Sequence, residues 1–224
     1  LRMGLIAGAL ALASSAVFAN SGQITHLSGT LSAKKADGSV RILSLRSEIA
    51  AGETLTTEKD TYANVRFADG GNMTIKPNSS IRFEKLVYDP SRPKEDSFAA
   101  TLIAGGLRMI TGLIGQRSRD NFRMGTSNAT IGIRGTTFNV DDCVEGSTGC
   151  GNLPPGVYVG VTDGSVEVSN PAGRMVVGTG QFSVIGRNAA PRETTNPGLA
   201  FTPPPAFSAP GASGPKAGDC VIRR

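Results

Sequence analysis

The sequence predicts an all-β protein: a single domain of many short strands forming a folded or stacked sheet sandwich, solenoid-like, with a disordered Pro-rich C-terminal tail. Three observations carry this. Apolar and polar residues alternate over short runs, as in VYVGV (157–161), where Val157, Val159 and Val161 share one face, and VEV (166–168), where Glu167 takes the other. Gly-containing turn signals punctuate the runs, as at Asp37-Gly38, Asp69-Gly70-Gly71 and Asp163-Gly164, in a chain with 29 glycines. Helical periodicity is hard to find beyond the N-terminal segment, and tryptophan is absent.

The elements follow in order. Arg2, the apolar run 5–13 and the small residues ending at Ala19 read as a secretory signal peptide over 1–19, cleaved after Ala19. The apolar stretch 3–19 contains two serines and falls short of the roughly 20 residues a spanning helix requires. The expected domain covers 20–188. Strands are predicted over 22–27 and 29–33, with a reversal at Asp37-Gly38. A strand–turn–strand unit follows: 65–67, the Asp69-Gly70-Gly71-Asn72 turn, then 73–75. Pro77-Asn78 is a turn outside any central strand, and 79–83 is the next strand. Polar 87–96, with Pro90 and Pro93, reads as an excursion between two halves of the domain. A strand is predicted over 98–102, and a second unit runs 101–104, Gly105-Gly106 and 107–110. Strands over 121–124, 130–133, 137–140, 157–161, 166–168, 173–177 and 181–184 complete the domain, with Asp163-Gly164 a tight reversal or corner. The tail is assigned to 189–224, which holds seven of the 13 prolines and too little apolar periodicity to offset its ordering entropy.

Charge and chemistry exclude several classes. Removing Arg2 from the 23 basic residues leaves 22 against 18 acidic ones. The densest basic group is Arg117, Arg119 and Arg123, a solvated loop or a contact for an anionic surface polymer; lacking aromatic interleaving, it does not read as a nucleic-acid site. His26 is the single histidine and has no nucleophile placed beside it by local spacing, so no catalytic residue, metal site or cofactor is expected. Asp141, Asp142 and Glu145 lack the spacing of a calcium loop. Cys143 and Cys150 flank a Gly/Ser-containing loop long enough to join them, and an exported chain permits a disulfide there. Cys220 is left over, free or bridging to another molecule.

The stretch NATIGIRGTTFNV (128–140) is read as architectural. Ile131 and Ile133 share one face; Gly132 on the other would let a neighbouring strand approach. Gly135 permits positive φ or a bulge before alternation resumes through Thr136 to Phe138 and Val140. Arg134 either satisfies corner carbonyls and carboxylates or binds an anion; the first is preferred.

That stretch, preceded by ANVRFADGGNMTIKPNSSIRFEKLVY and GGLRMITG and followed by GVYVGVTDGSVEVSN, resembles the FecR domain family over about 50–186. LSLRSEIAAGETL (43–55) resembles the family's lead-in. The resemblance implies an all-β periplasmic domain, a binding and signalling module related to the periplasmic part of iron-dicitrate transport regulators, with no recognised catalytic residues. The cysteine loop is an insertion relative to the pattern. The sequence shows neither an anti-sigma segment before the signal nor a spanning helix in the mature chain, so direct sigma-factor control is not expected. The expectation is therefore a periplasmic or secreted, non-enzymatic module that binds an envelope protein or cell-wall glycan. The alternatives are an accessory of an envelope signalling system working with a separate membrane partner and, with least support, a glycan-acting hydrolase.

Overall fold

A computed structural model describes residues 22–117, 119–133, 135–146 and 148–199. The expected signal segment 1–19, the tail beyond Leu199 with Cys220, and Arg134 lie outside the described residues, as does the side chain of Arg119. The described residues are all-β apart from one five-residue helix and a 3-10 turn.

The strands of the first half are β1 (Gly22–Ser28), β2 (Leu31–Lys34), β3 (Val40–Leu43), β4 (Glu48–Ile49), β5 (Thr54–Thr57), β6 (Tyr62–Phe67), β7 (Asn72–Ile75) and β8 (Ser80–Val87). Long β9 (Ser97–Ile110) leads to α1 (Leu113–Arg117) and the 3-10 turn Arg119–Asn121. Then come β10 (Phe122–Gly125), β11 (Thr130–Ile133), β12 (Thr137–Cys143), β13 (Gly156–Asp163), β14 (Ser165–Asn170), β15 (Gly173–Gly178), β16 (Phe182–Ile185) and β17 (Arg192–Thr194).

These strands make one continuous ladder system folded into two facing layers. One layer runs β4-β1-β6-β7-β9-β12-β13-β16-β17. The other runs β3-β2-β5-β8-β9-β10-β11-β14-β15, antiparallel except at β9/β10. Only β9 belongs to both. Its first half pairs with β8 and β10, and its second half with β7 and β12. The inner faces share one core: Ile24, Val65, Met73, Phe138 and Val159 from one layer meet Leu31, Ile81, Leu102, Ile131 and Val168 from the other, all fully buried. Phe67, Phe83, Phe98 and Phe122 fill one end, with Phe98 stacked on Phe122 at 4.7 Å and edge-on to Phe67 at 5.2 Å. Burying each such ring contributes about 1.5–3 kcal/mol before the ordering cost is counted.

Three corners shape the chain between layers, and the first differs from the strand–turn–strand unit that the sequence suggests. The segments on either side of Gly105-Gly106 are one strand bent between layers, not two strands joined by a reversal. Gly105 takes φ 83°, and a Cβ there would lie 2.6 Å from Ser79 Cα. Ser79 seams the bend: its Oγ accepts from Gly106 N at 2.8 Å and donates to Gly106 O at 3.1 Å. Asp163-Gly164 is a corner, because β13 pairs with β12 and β16 whereas β14 pairs with β11 and β15. The excursion 87–96 is a loop joining the paired neighbours β8 and β9, not a divider between halves. The third corner carries the signature and is described below.

The ordered chain also runs past Asn188, where the domain was expected to end. Strand β17 pairs with β16, and Leu199 is buried at 1% exposure beside Tyr158, Val184 and Cys143 on the outer surface of the first layer. Cys143 and Cys150 are disulfide-bonded, with their Cα atoms 5.6 Å apart.

Candidate functional site: an open polar groove

The signature folds as its alternation dictates. Ile131, Ile133 and Phe138 point into the core, and Gly135 adopts φ 65°. Thr136 binds back to Thr111: its N–H donates to Thr111 Oγ1 at 2.8 Å, and its carbonyl accepts from Thr111 N and Oγ1 at 3.0 and 3.1 Å. A register shift at Thr137/Phe138 marks the start of β12. The segment thus carries the chain from the second layer (β11) to the first (β12). Gly132 departs from expectation. No strand approaches it closely; a Cβ there would meet only the carbonyl of Glu167, at 4.0 Å. Its missing side chain leaves open space on the outer face.

That space is a groove of about 500 Å³ lined by Asp120, Arg123, Thr130, Gly132, Glu167 and Ser169, with buried Phe122 and Ile133 beneath. A second hollow of about 540 Å³ shares Thr130 and Ser169 and extends to the 126–129 and 170–172 turns and Asn188. The β register builds this surface. Cross-strand partners run Thr54, Arg82, Thr101, Gly125, Thr130, Ser169 and Arg174 along one row. All are short, hydroxylated or charged except glycine, and alternation turns them outward while Leu55, Ile81, Leu102, Met124, Ile131 and Val168 face in. Gly132 lies directly across from Glu167 in the neighbouring row.

The turns at the groove's end are held from inside. Asp142, fully buried on β12, accepts from Ser127 N and Ser127 Oγ, both at 2.6 Å. Burial pushes its carboxyl above the ordinary range, while the Ser127 bonds pull it back. Asn170 Oδ1 accepts from Ala172 N and Gly173 N, and its amide donates to Ala189 O at 2.7 Å. In contrast, among the described residues the side chains of Asp120, Arg123, Thr130, Glu167 and Ser169 make no hydrogen bond or ion pair within the protein.

Several polar groups elsewhere are committed to structure, although Asn139 Oδ1 and Ser183 Oγ are buried without a hydrogen-bond partner. Lys76 grips Asp141 at 2.8 and 2.9 Å below the bend in β9, and Arg41 binds Glu53 at 2.9 Å. Asn64, Asn72, Thr74 and Thr25 form an amide–hydroxyl ladder on the first layer's outer face. Asp69 accepts from Gly71 N and Ile114 N, docking the β6–β7 turn on α1.

Of the basic group expected to bind, Arg123 lies on the groove. Arg117 is exposed at the end of α1, outside the lining. Sequence reasoning missed Asp120, Thr130, Glu167, Ser169 and Asn188 as groove residues. Glu167 was legible as outward-facing, but its position opposite Gly132 depends on the pairing of β11 with β14. Among the described residues no group of three or more His, Cys, Asp or Glu is placed to hold a metal, and no helix is long and apolar enough to cross a membrane.

Two crystal structures of a candidate anti-sigma factor from Parabacteroides distasonis, at 2.50 and 1.65 Å, are 17% identical to this chain with TM-scores of 0.48 and 0.49. Each alignment covers 63% of this chain, which spans only 59% of theirs. A cell surface anchoring domain is 31% identical over 27% of this chain and 80% of its own, with a TM-score of 0.27. No curated protein matches. The family described as FecR protein matches residues 53–167, just over half of the sequence, including the β6–β7 turn, the bend in β9 and the 130–138 corner. This chain therefore belongs to the FecR protein family.

Proposed function

We propose that the chain acts at the cell envelope as a non-catalytic recognition domain, accessory to a signalling system, and that it engages its partner through the outer-face groove around Gly132. The observation that carries this reading is the contrast in polar groups. Lys76, Asp141, Asp142, Asn64 and Asp69 are paired within the fold, whereas Arg123, Glu167, Asp120, Thr130 and Ser169 converge on a glycine-floored hollow with their hydrogen-bonding capacity unspent. Family membership supports export and a regulatory rather than chemical role.

A hydrolase requires a carboxylic acid kept protonated in a water-excluded site, paired with a second carboxylate. The two carboxyls here, Asp120 and Glu167, lie on an open groove, and Asp120 is exposed. That arrangement favours binding over turnover.

Site-specific photocrosslinking in intact cells tests the proposal. A photoreactive residue at position 130 should capture an envelope component, and one at position 32, on the same outer face at the far end of the layer, should not. Equal capture at both positions, or at neither, would refute the groove as the recognition surface.

A further inference from the structure

The geometry points to a neutral, hydroxyl-rich oligosaccharide as the groove's ligand; this inference rests on the groove being the recognition surface. The groove lacks the features that hold a peptide. An extended peptide is held either by backbone pairing at a sheet edge or by pockets for apolar side chains. Strands β10, β11 and β14 are each paired on both sides, so they have no free backbone edge. The apolar lining residues Phe122 and Ile133 are buried, at 4% and 3% exposure, and face the core.

What the groove offers are planar charged groups and hydroxyls: the carboxylates of Asp120 and Glu167, the guanidinium of Arg123, and the hydroxyls of Thr130 and Ser169. A carboxylate can accept from two adjacent hydroxyls, and a guanidinium can donate to two oxygens in its plane. A vicinal diol satisfies both. Among the described lining residues the charges are two acids and one arginine, and the two carboxylates repel a polyanion. The two hollows share Thr130 and Ser169, so they form one trough across three strands rather than a single socket. Such a shape suits several linked rings. With no aromatic platform exposed in the lining, affinity must come from hydrogen bonds.

Isothermal titration of the full chain with chitotetraose and with maltotetraose tests this. At least one tetramer should bind. Glu167→Ala and Arg123→Ala should each weaken it about tenfold, the worth of a hydrogen bond to a charged group. Gly132→Gln should abolish binding without lowering the unfolding midpoint, because a Cβ at Gly132 comes no nearer to another atom than 4.0 Å, at the Glu167 carbonyl. Thr130→Val removes a hydroxyl without filling the trough and should weaken binding less. If neither tetramer binds while position 130 still crosslinks a protein, the oligosaccharide is wrong and the recognition surface stands. If neither binds and position 130 captures nothing, both fall. New reducing ends released from a tetramer would overturn the non-catalytic reading.

Discussion

Replacing Lys76 by Met tests the electrostatics that hold the bend in β9. The ammonium lies 2.8 and 2.9 Å from the two oxygens of Asp141, and the side chains are only 15% and 8% exposed. At an effective dielectric of 20, opposite charges about 4 Å apart attract by about 4 kcal/mol. Removing one partner of a buried pair costs about 3–5 kcal/mol. A second route gives a similar figure. An orphaned Asp141 can escape by taking up a proton, which caps the loss at about 4 kcal/mol at pH 7 and about 1.5 kcal/mol at pH 5 for an unfolded carboxyl near 3.9. The Asp141 carboxyl is already raised, since burial outweighs the pull of Lys76. Urea titrations of Lys76→Met should therefore show a large loss at pH 7 that shrinks at pH 5. The double substitution Lys76→Met with Asp141→Leu should return close to wild type. A loss below about 1 kcal/mol at pH 7, or one unchanged at pH 5, would show that the pair is solvated and the argument wrong.

Further outcomes follow from the same structure. Asp141 and Asp142 are both raised by burial, so their favourable contribution is fully present below the unfolded carboxyl pKa and is lost as pH rises through the folded values. Asp89, held at about 2 by Ser91 and Arg92, has the opposite sense and contributes above 3.8, losing that as pH falls toward 2. Thermal unfolding against pH should thus peak near the ordinary carboxyl range, and Asp142→Asn should flatten the alkaline side; stability rising steadily to pH 8 would contradict this. Closing the short 143–150 loop stabilises by about 2.5 kcal/mol on chain-entropy grounds. Non-reduced peptide mapping should recover Cys143 linked to Cys150, whereas alkylation of both without reductant would exclude the bond. Gly105→Val should cost about 2–5 kcal/mol through its left-handed backbone and collision with Ser79. Gly132→Thr should be neutral or stabilising by up to about 1 kcal/mol, and equal losses at the two glycines would undo the distinction between corner and groove.

Strand identity was legible wherever alternation was clean. ATIGI predicted β11 to the residue, and the three valines of 157–161 do face one core. Local pattern cannot tell a hairpin from a corner, because glycine with positive φ serves both. Gly105 and Gly164 adopt φ 83° and 77°, yet neither joins neighbouring strands. Strand β17 was hidden by the prolines around it, and α1 is too short to show a helical period. The groove was the least legible feature. Its floor, Gly132, looked like a place for close packing, and its walls come from β10, β11, β14 and the 3-10 turn through pairings fixed only by the whole sandwich. The arginine cluster drew attention by local density, which says nothing of which side chain a strand turns toward the hollow.

Amide chemical-shift mapping of the full chain against chitotetraose, maltotetraose and the component captured from position 130 addresses the recognition surface most directly. The account predicts perturbations concentrated at 123–132 and 167–170, with the Asn64–Thr74 ladder on the opposite layer undisturbed. Perturbations centred on that ladder or on the disulfide loop, with the Gly132 neighbourhood silent, would contradict it.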